Sequence, residues 1–408
     1  MKEGTEKASM TPSGRGYESS HPWLTFGGLD LRKAPHHLWM LLGEAGSKIE
    51  HLRGVPLRPE AQQRLQEIYL AKGVWATTSI EGNTLTEEQV RSAIQGRLKV
   101  PPSREYQRQE VANIIEAVNQ IATEMLQDGP RESVTTRLIA EFNRMVLKGL
   151  ELAPEVVPGE YRTHSVVAGP YLAPPSEDVE YLVDRLCTWL DETFVVPDGS
   201  DDLKIVYVIA RAVLAHLYLE WIHPFGDGNG RTGRLLEFHI LVSAGVPFPA
   251  AHLLSNHYNL TRTEYYRQLE AASRSGGDIV PFLCYSVQGF VDGLRSQIQE
   301  VQNEQMSVMF ENHVHALVTG NTPTAHRRRT LALELAKMAG PVPRRDLMTF
   351  SPEVAREYMH KTAKTLSRDL TELKRHALMI FIEGGWIANR EAMRSFLPAA
   401  VIAEQEAK

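Results

Sequence analysis

The chain has 408 residues, of which 43% are hydrophobic, and a formal net charge of -6 at pH 7. Two or three domains with ample apolar side chains for buried cores fit that length, and the acidic balance excludes wholesale electrostatic binding of nucleic acid by the entire molecule. Two cysteines, Cys187 and Cys284, lie far apart without metal-type or redox-type spacing, so no disulfide framework is read and a reducing, cytoplasmic home fits best.

Lys2, Glu3, Glu6 and Lys7 precede no apolar segment, unlike a secretory signal, and no apolar run is read as long enough for a membrane span. Residues 1–22, rich in Ser, Gly, Lys and Glu, are expected to be disordered. An N-terminal helical region follows over 23–110, then a main helical core over 111–317. Helical periodicity predicts helices over Gln63–Ile80, Glu110–Leu126, Thr136–Leu150, Glu177–Leu190 and Leu203–Trp221. The last of these is apolar on several faces and should be central and buried.

After Ile80, Gly82 and Asn83 supply left-handed helix-ending residues, and Thr86 with Gln89 forms a capping box for the next helix. Glu81 then sits in the last helical turn. A carboxylate at the negative end of a helix is disfavoured by about 0.3–1 kcal/mol, and such local misfits are candidates for function. Between Gly159 and Pro175, Gly and Pro punctuate Val166-Val167 and Tyr171-Leu172, which predicts a short β-hairpin or extended flap.

The buried helix ends at Trp221-Ile222, and His223-Pro-Phe-Gly-Asp-Gly-Asn-Gly-Arg-Thr-Gly-Arg234 leads into a new apolar-periodic helix. A glycine-rich loop feeding a helix N-terminus exposes backbone N–H groups at the positive end of the helix dipole, which suits a polyphosphate. Asn229 can take a left-handed turn or bond a ribose or phosphate oxygen. Asp227 offers a hard oxygen ligand for Mg2+. Arg231 and Arg234, three apart, fit phosphate oxygens as a clamp. His223 is the nearby group able to abstract a proton near neutral pH.

These twelve residues resemble the signature of the Fic family, His-x-Phe-x-Asp/Glu-Gly-Asn-Gly-Arg-x-x-Arg, with no departure. The resemblance implies a mainly α fold, a Fic-type helical bundle with a β-hairpin flap, and a protein adenylyltransferase that moves AMP from ATP onto a Ser, Thr or Tyr hydroxyl of a target protein. It implies that His223 is the catalytic base, that Asp227 holds Mg2+, and that Gly228, Asn229, Gly230, Arg231, Thr232, Gly233 and Arg234 bind the nucleotide. Phe225 would anchor the loop in the core. Relatives that transfer phosphate carry a lysine for a signature glycine, so the glycines here imply AMP transfer.

By the same resemblance, the flap residues Val166, Val167, Ala168 and Gly169 contact nucleotide and hold the target segment by strand addition. Tyr265 or Tyr266 would stack on adenine, with core packing as the alternative. Thr77-Thr-Ser-Ile-Glu81-Gly82 resembles the Ser/Thr-x-x-x-Glu-Gly/Asn inhibitory motif, which implies that Glu81 takes Arg234 away from the γ-phosphate. Removal of AMP from a target, or transfer of another nucleotide, is the alternative activity on this frame. A homodimer is allowed.

A Gly, Asn, Thr and Pro stretch at 318–325 reads as a linker. Beyond it, expected helices at Arg327–Met338, Arg344–Phe350 and His360–His376 and a hairpin over Leu378–Ala388 read as a small winged helix-turn-helix over 326–392, before a tail at 393–408. Lys361, Lys364, Thr365, Ser367 and Arg368 on the third helix, with His326-Arg-Arg-Arg329 and Arg344-Arg345, would suit DNA, and a protein-docking module is the alternative. A DNA-binding regulator that uses the helical core as an ATP sensor is therefore the rival functional reading.

Overall fold

The computed structural model describes residues 14–27, 34–129, 133–196, 200 and 203–393. The chain divides into two compact units, residues 1–298 and 299–408.

The first unit opens with α1 (Gly16–Ser20), α2 (His36–Gly54), α3 (Pro59–Ile80), α4 (Glu87–Ile94), α5 (Glu105–Asp128) and α6 (Thr136–Val146). A hairpin of β1 (Val167–Ala168) and β2 (Tyr171–Leu172) follows, pairing Val167 with Leu172 and Ala168 with Tyr171. Then come α7 (Val179–Thr193), α8 (Lys204–Ile222), α9 (Asn229–Ser243), α10 (Phe248–Ala251), α11 (Leu253–Leu260), α12 (Arg262–Arg274) and α13 (Val280–Leu317).

Helix α8 is the hub. Apolar side chains on all its faces let α2, α7 and α9 pack around it, and Ile209, Val213, Leu214 and Leu217 are buried. By length and composition Lys204–Ile222 could cross a membrane, contrary to the expectation that no run is long enough; in this fold most of it is buried. Helix α3 packs on α4, α5 and α11, which carries its C-terminal end toward the start of α9.

Two further readings need correction. The expected disorder over 1–22 fails from residue 14 onward, and residues 1–13 lie outside the described residues. The amide of Tyr17 donates to Asp178 Oδ2 at 2.8 Å, Arg15 stacks on Tyr181, and His21 is buried with Nε2 2.8 Å from the Leu172 carbonyl. Tyr17, His21 and Trp23 thus bury contact surface that a Ser- and Gly-rich average conceals. The boundary set at 318–325 also moves. Phe310, Val314 and Val318 pack into the second unit's core, so the division falls between Ile298 and Gln299, inside α13.

The second unit holds α14 (Pro323–Ala336), α15 (Pro352–Tyr358), α16 (Ala363–Arg375) and a hairpin of β3 (Met379–Ile382) and β4 (Gly385–Ala388), with Val342 bridging Trp386. No helix forms over Arg344–Phe350. Ser351 accepts the Val354 amide and Pro352 takes the first helical position, so the helix starts there instead. The basic run at 326–329 is largely turned inward. Arg327 and Arg328 both donate to the buried Asp369 carboxylate, and Arg329 caps the carbonyls of Val318 and Gly320. Three of the cations expected near phosphates are therefore committed to the fold. The tail lies outside the described residues beyond Met393.

Candidate active site

Helix α8 stops because His223 turns left-handed, with φ 49° and ψ 59°, and Pro224 follows it. A non-glycine side chain in that region costs about 1–2 kcal/mol, so the surroundings must impose it. They do so through Arg162, whose Nε donates to the His223 carbonyl at 2.8 Å and whose Nη atoms reach the carbonyls of His164 and Pro174 at 2.9 and 2.6 Å. The Arg162 amide also bonds the Pro224 carbonyl. The base of the flap and the start of the loop are thereby one hydrogen-bonded piece.

Further along, the buried Phe225 ring lies beside Tyr161, and Asn229 closes the loop on Phe225's own backbone. Its Oδ1 accepts the Phe225 amide at 2.9 Å and its Nδ2 donates to the Phe225 carbonyl at 2.8 Å. Asn229 is helical, and the left-handed residue is Gly228, φ 76°, at the cap of α9. The amide of Asn229 is thus spent on loop shape. Behind the loop, the buried Asn143 donates to the Asp227 carbonyl and to Thr232 Oγ1, and accepts the Gly159 amide.

The His223 ring is held by the end of α8. Its Nδ1 lies 3.2 Å from the Glu220 carbonyl, so that nitrogen carries the proton and Nε2 keeps its lone pair. Burial lowers the His223 pKa below the ordinary histidine value, against upward pulls from the Glu220 carbonyl and Glu81. The neutral base is the resting form.

The two arginines of the loop are both occupied. Arg234, with its side chain 1% exposed, donates from Nε to Thr77 Oγ1 at 2.9 Å, and from Nη2 to the Thr77 carbonyl at 3.1 Å and Glu81 Oε1 at 2.6 Å. Glu81 itself caps α3, followed by Gly82 at φ 95° and by the Thr86–Gln89 capping box. Burial raises the Glu81 carboxyl, but Arg234, with Arg231 and His223 behind it, outweighs burial and holds it below the ordinary carboxylate value. Its Oε1 sits over Gly230, where any Cβ would collide with it. A carboxylate therefore lies at the N-terminal turn of α9, the place where the helix would receive a phosphate.

Arg231 does not stand free as a phosphate clamp. Its Nη1 donates to the buried Glu110 at 2.6 Å and its Nη2 to Asp227 Oδ1 at 3.1 Å. The Asp227 side chain is 41% exposed, and among the described residues no group of three or more His, Cys, Asp or Glu side chains could cage a metal. A lone accessible carboxylate beside an anion site fits Mg2+ held chiefly by phosphates and water.

Other expected nucleotide contacts face inward. Thr232 is buried against Asn143, and Gly233 packs against His216 so closely that a Cβ would strike the ring. Tyr265 is 1% exposed, bonds His216 Nε2 at 2.8 Å and stacks on Tyr258, which makes it core. Tyr266 is 46% exposed and its hydroxyl reaches the Ile80 carbonyl, so it borders the site. In the flap, Val167 and Leu172 are exposed, Gly169 turns at φ 58°, and the Val166 carbonyl accepts the Ala173 amide. Asn143 and Glu110 escaped the sequence reading. For Asn143 a signal existed, since it lies on the same helical face as Leu138, Ile139, Phe142 and Val146.

The sequence matches the Fic/DOC family over residues 133–241. A protein adenylyltransferase Fic from Nematostella vectensis is 31% identical over 60% of this chain and 52% of its own length, and one from Drosophila melanogaster is 31% identical over 59% and 43%. The chain spans about half the length of these curated relatives. Among solved structures, Fic-1 from C. elegans superposes with a TM-score of 0.52 at 26% identity, over 65% of this chain and 73% of that one. A Fic family protein from Desulfovibrio desulfuricans shares the fold across 88% of this chain and 94% of its own, with a TM-score of 0.51 at 21% identity. Signature, family match and fold together mark residues 133–241 as a Fic/DOC region, and beyond it the chain is similar to Fic proteins in fold.

Proposed function

We propose that the protein transfers AMP from ATP to a hydroxyl of a target protein and rests in an inhibited state. His223 Nε2 takes the proton of the target hydroxyl as its oxygen bonds to the α-phosphorus. The bond from that phosphorus to the bridging oxygen of the β-phosphate breaks, and pyrophosphate leaves. Bound at Asp227, Mg2+ would neutralise phosphate charge. The amides of the first turn of α9 receive the phosphates, and the exposed edge of the flap aligns the target chain by backbone pairing.

The observation that carries this reading is the Glu81 carboxylate, bonded to Arg234 and seated over Gly230. A device that blocks an anion site supports the view that the site serves a polyphosphate. Incubation of the full chain with Mg2+ and ATP labelled at the α-phosphate tests it. We expect weak self-labelling in the wild type, strong labelling in Glu81→Gly, and none in Glu81→Gly with His223→Ala. Mass spectrometry should show AMP, less water, on a hydroxyl. Unchanged labelling in Glu81→Gly would remove the inhibitory role, and persistent labelling without His223 would remove the mechanism.

A further inference from the structure

The turn that carries Glu81 reaches the catalytic loop by a second route. Asn83, buried two residues beyond Glu81, donates from Nδ2 to Glu110 Oε2 at 3.0 Å and to the Gln107 carbonyl at 2.9 Å. Its amide bonds the Thr78 carbonyl and its Oδ1 accepts the Leu85 amide, so its side chain is fixed at both ends. Glu110 Oε1, in turn, accepts Arg231 Nη1 at 2.6 Å, and Arg231 Nη2 holds Asp227 Oδ1 at 3.1 Å. Asp227 Oδ1 also accepts the Gly228 amide, at 2.5 Å. The chain Asn83–Glu110–Arg231–Asp227 is continuous, and all but its last member are buried.

The charges decide what this chain does. Glu110, Arg231 and Asp227 together carry one net negative charge. Arg231 Nε is buried without a hydrogen-bond partner, so the guanidinium is held through its Nη atoms by Glu110 and Asp227, with the Tyr106 side chain beside it. Glu110 shares the cation that would otherwise fall wholly to Asp227. Without the Glu110 charge, Arg231 would have a single anionic partner, and that partner is the carboxylate that must face a divalent cation. The local charge would fall to zero.

We infer that Glu110 is a positioning residue for Asp227, acting through Arg231, and that Asn83 makes the Glu81 turn control the metal carboxylate as well as Arg234. This rests on the proposed function for the identity of the metal ligand. Side chains that orient a ligand from behind typically change metal affinity by about 10–100-fold when altered.

The test uses the full chain carrying Glu81→Gly, alone and combined with Glu110→Gln, Glu110→Asp or Asn83→Ala, with helical content checked by circular dichroism. Mn2+ binding is titrated by electron paramagnetic resonance with a non-hydrolysable ATP analogue present, and metal-free analogue binding is measured by calorimetry. Glu110→Gln should weaken Mn2+ binding by about tenfold or more. Metal-free analogue binding should stay constant, and Glu110→Asp should recover part of the loss. Asn83→Ala should weaken Mn2+ binding when Glu110 is present and add nothing when it is Gln, the non-additivity expected of one network. Unchanged Mn2+ affinity in a folded Glu110→Gln chain would overturn the inference, and so would a parallel loss of metal-free analogue binding, which would make Arg231 a direct nucleotide contact. Absence of AMP transfer by Glu81→Gly would instead strike the proposed function, while the Mn2+ titration would still report on Glu110.

Discussion

Replacing Glu81 with Gln separates the charge of the proposed inhibitory contact from its shape. The Gln side chain keeps an oxygen for Arg234 Nη2 and still lies over Gly230, but the charge-assisted bond at 2.6 Å becomes a neutral one. Removing one partner of a fully buried ion pair costs about 3–5 kcal/mol. Here Arg234 is 1% exposed but Glu81 is 30% exposed, so water screens one side and about 2 kcal/mol is a better figure. At 1.4 kcal/mol per tenfold, that corresponds to roughly thirtyfold. If Arg234 holds the γ-phosphate, the gain should be larger for ATP than for ADP, because the γ-phosphate competes with residue 81 for Arg234 while both nucleotides gain from the lost charge over Gly230. Calorimetry of the full chain should therefore give similar ATP and ADP affinities in the wild type, and in Glu81→Gln an ATP preference of up to about thirtyfold with a smaller gain for ADP. The nucleotide-free variant should also melt lower, since Arg234 keeps only neutral partners, Thr77 and the Gln amide oxygen, and ATP should restore it. Equal shifts for both nucleotides, or none for either, would refute the assignment of Arg234 to the γ-phosphate.

Two further outcomes follow from the same geometry. Arg162→Lys exchanges a fork that spans three carbonyls for a single ammonium, and should cost about 2–4 kcal/mol in urea unfolding together with most AMP transfer in the Glu81→Gly background; retention of both would show that His223 holds its left-handed turn unaided. In that background the pH–rate profile should be flat near neutrality. Its acid limb should lie below the ordinary histidine value of about 6.5, because burial lowers the His223 pKa and the neutral ring is the active form, so the rate falls only as pH drops through that lowered value. A midpoint at or above about 7 would contradict the burial of the base.

What could be read in the sequence was what is local. Base, glycines and turn into α9 lie within twelve residues, and the capping box and Gly82 fix where α3 ends, so His223, Gly228 and Glu81 could be placed without coordinates. Partners could not be read that way. Spacing of three put Arg231 and Arg234 on neighbouring positions, but Arg231's strongest anion is Glu110, 121 residues away. The same blindness made Asn229 a ligand donor when its amide closes the loop, and left Tyr265 and Tyr266 undecided until burial separated them. Composition misled at residues 14–22, where a few aromatic side chains suffice for docking. In the second unit, basic residues counted as surface charge are drawn inward by Asp369, since a sum of charges carries no information on pairing.

The helix-end rule that drew attention to Glu81 also bears on the stability of its pairing with Arg234. At the C-terminus of α3 its carboxylate meets the negative end of a helix, a penalty of about 0.3–1 kcal/mol. The same carboxylate, however, lies over Gly230 in the first turn of α9, the positive end of another helix, where the dipole term has the opposite sign and similar size. The two nearly cancel, and Arg234 supplies the remaining attraction. In this arrangement Glu81 is satisfied only while α3 is docked at the start of α9. Once ATP takes the α9 end and Arg234, the carboxylate is left with the unfavourable end of its own helix. Nucleotide entry should therefore loosen the last turn of α3, because the charge that capped the anion site becomes a misfit where it stands.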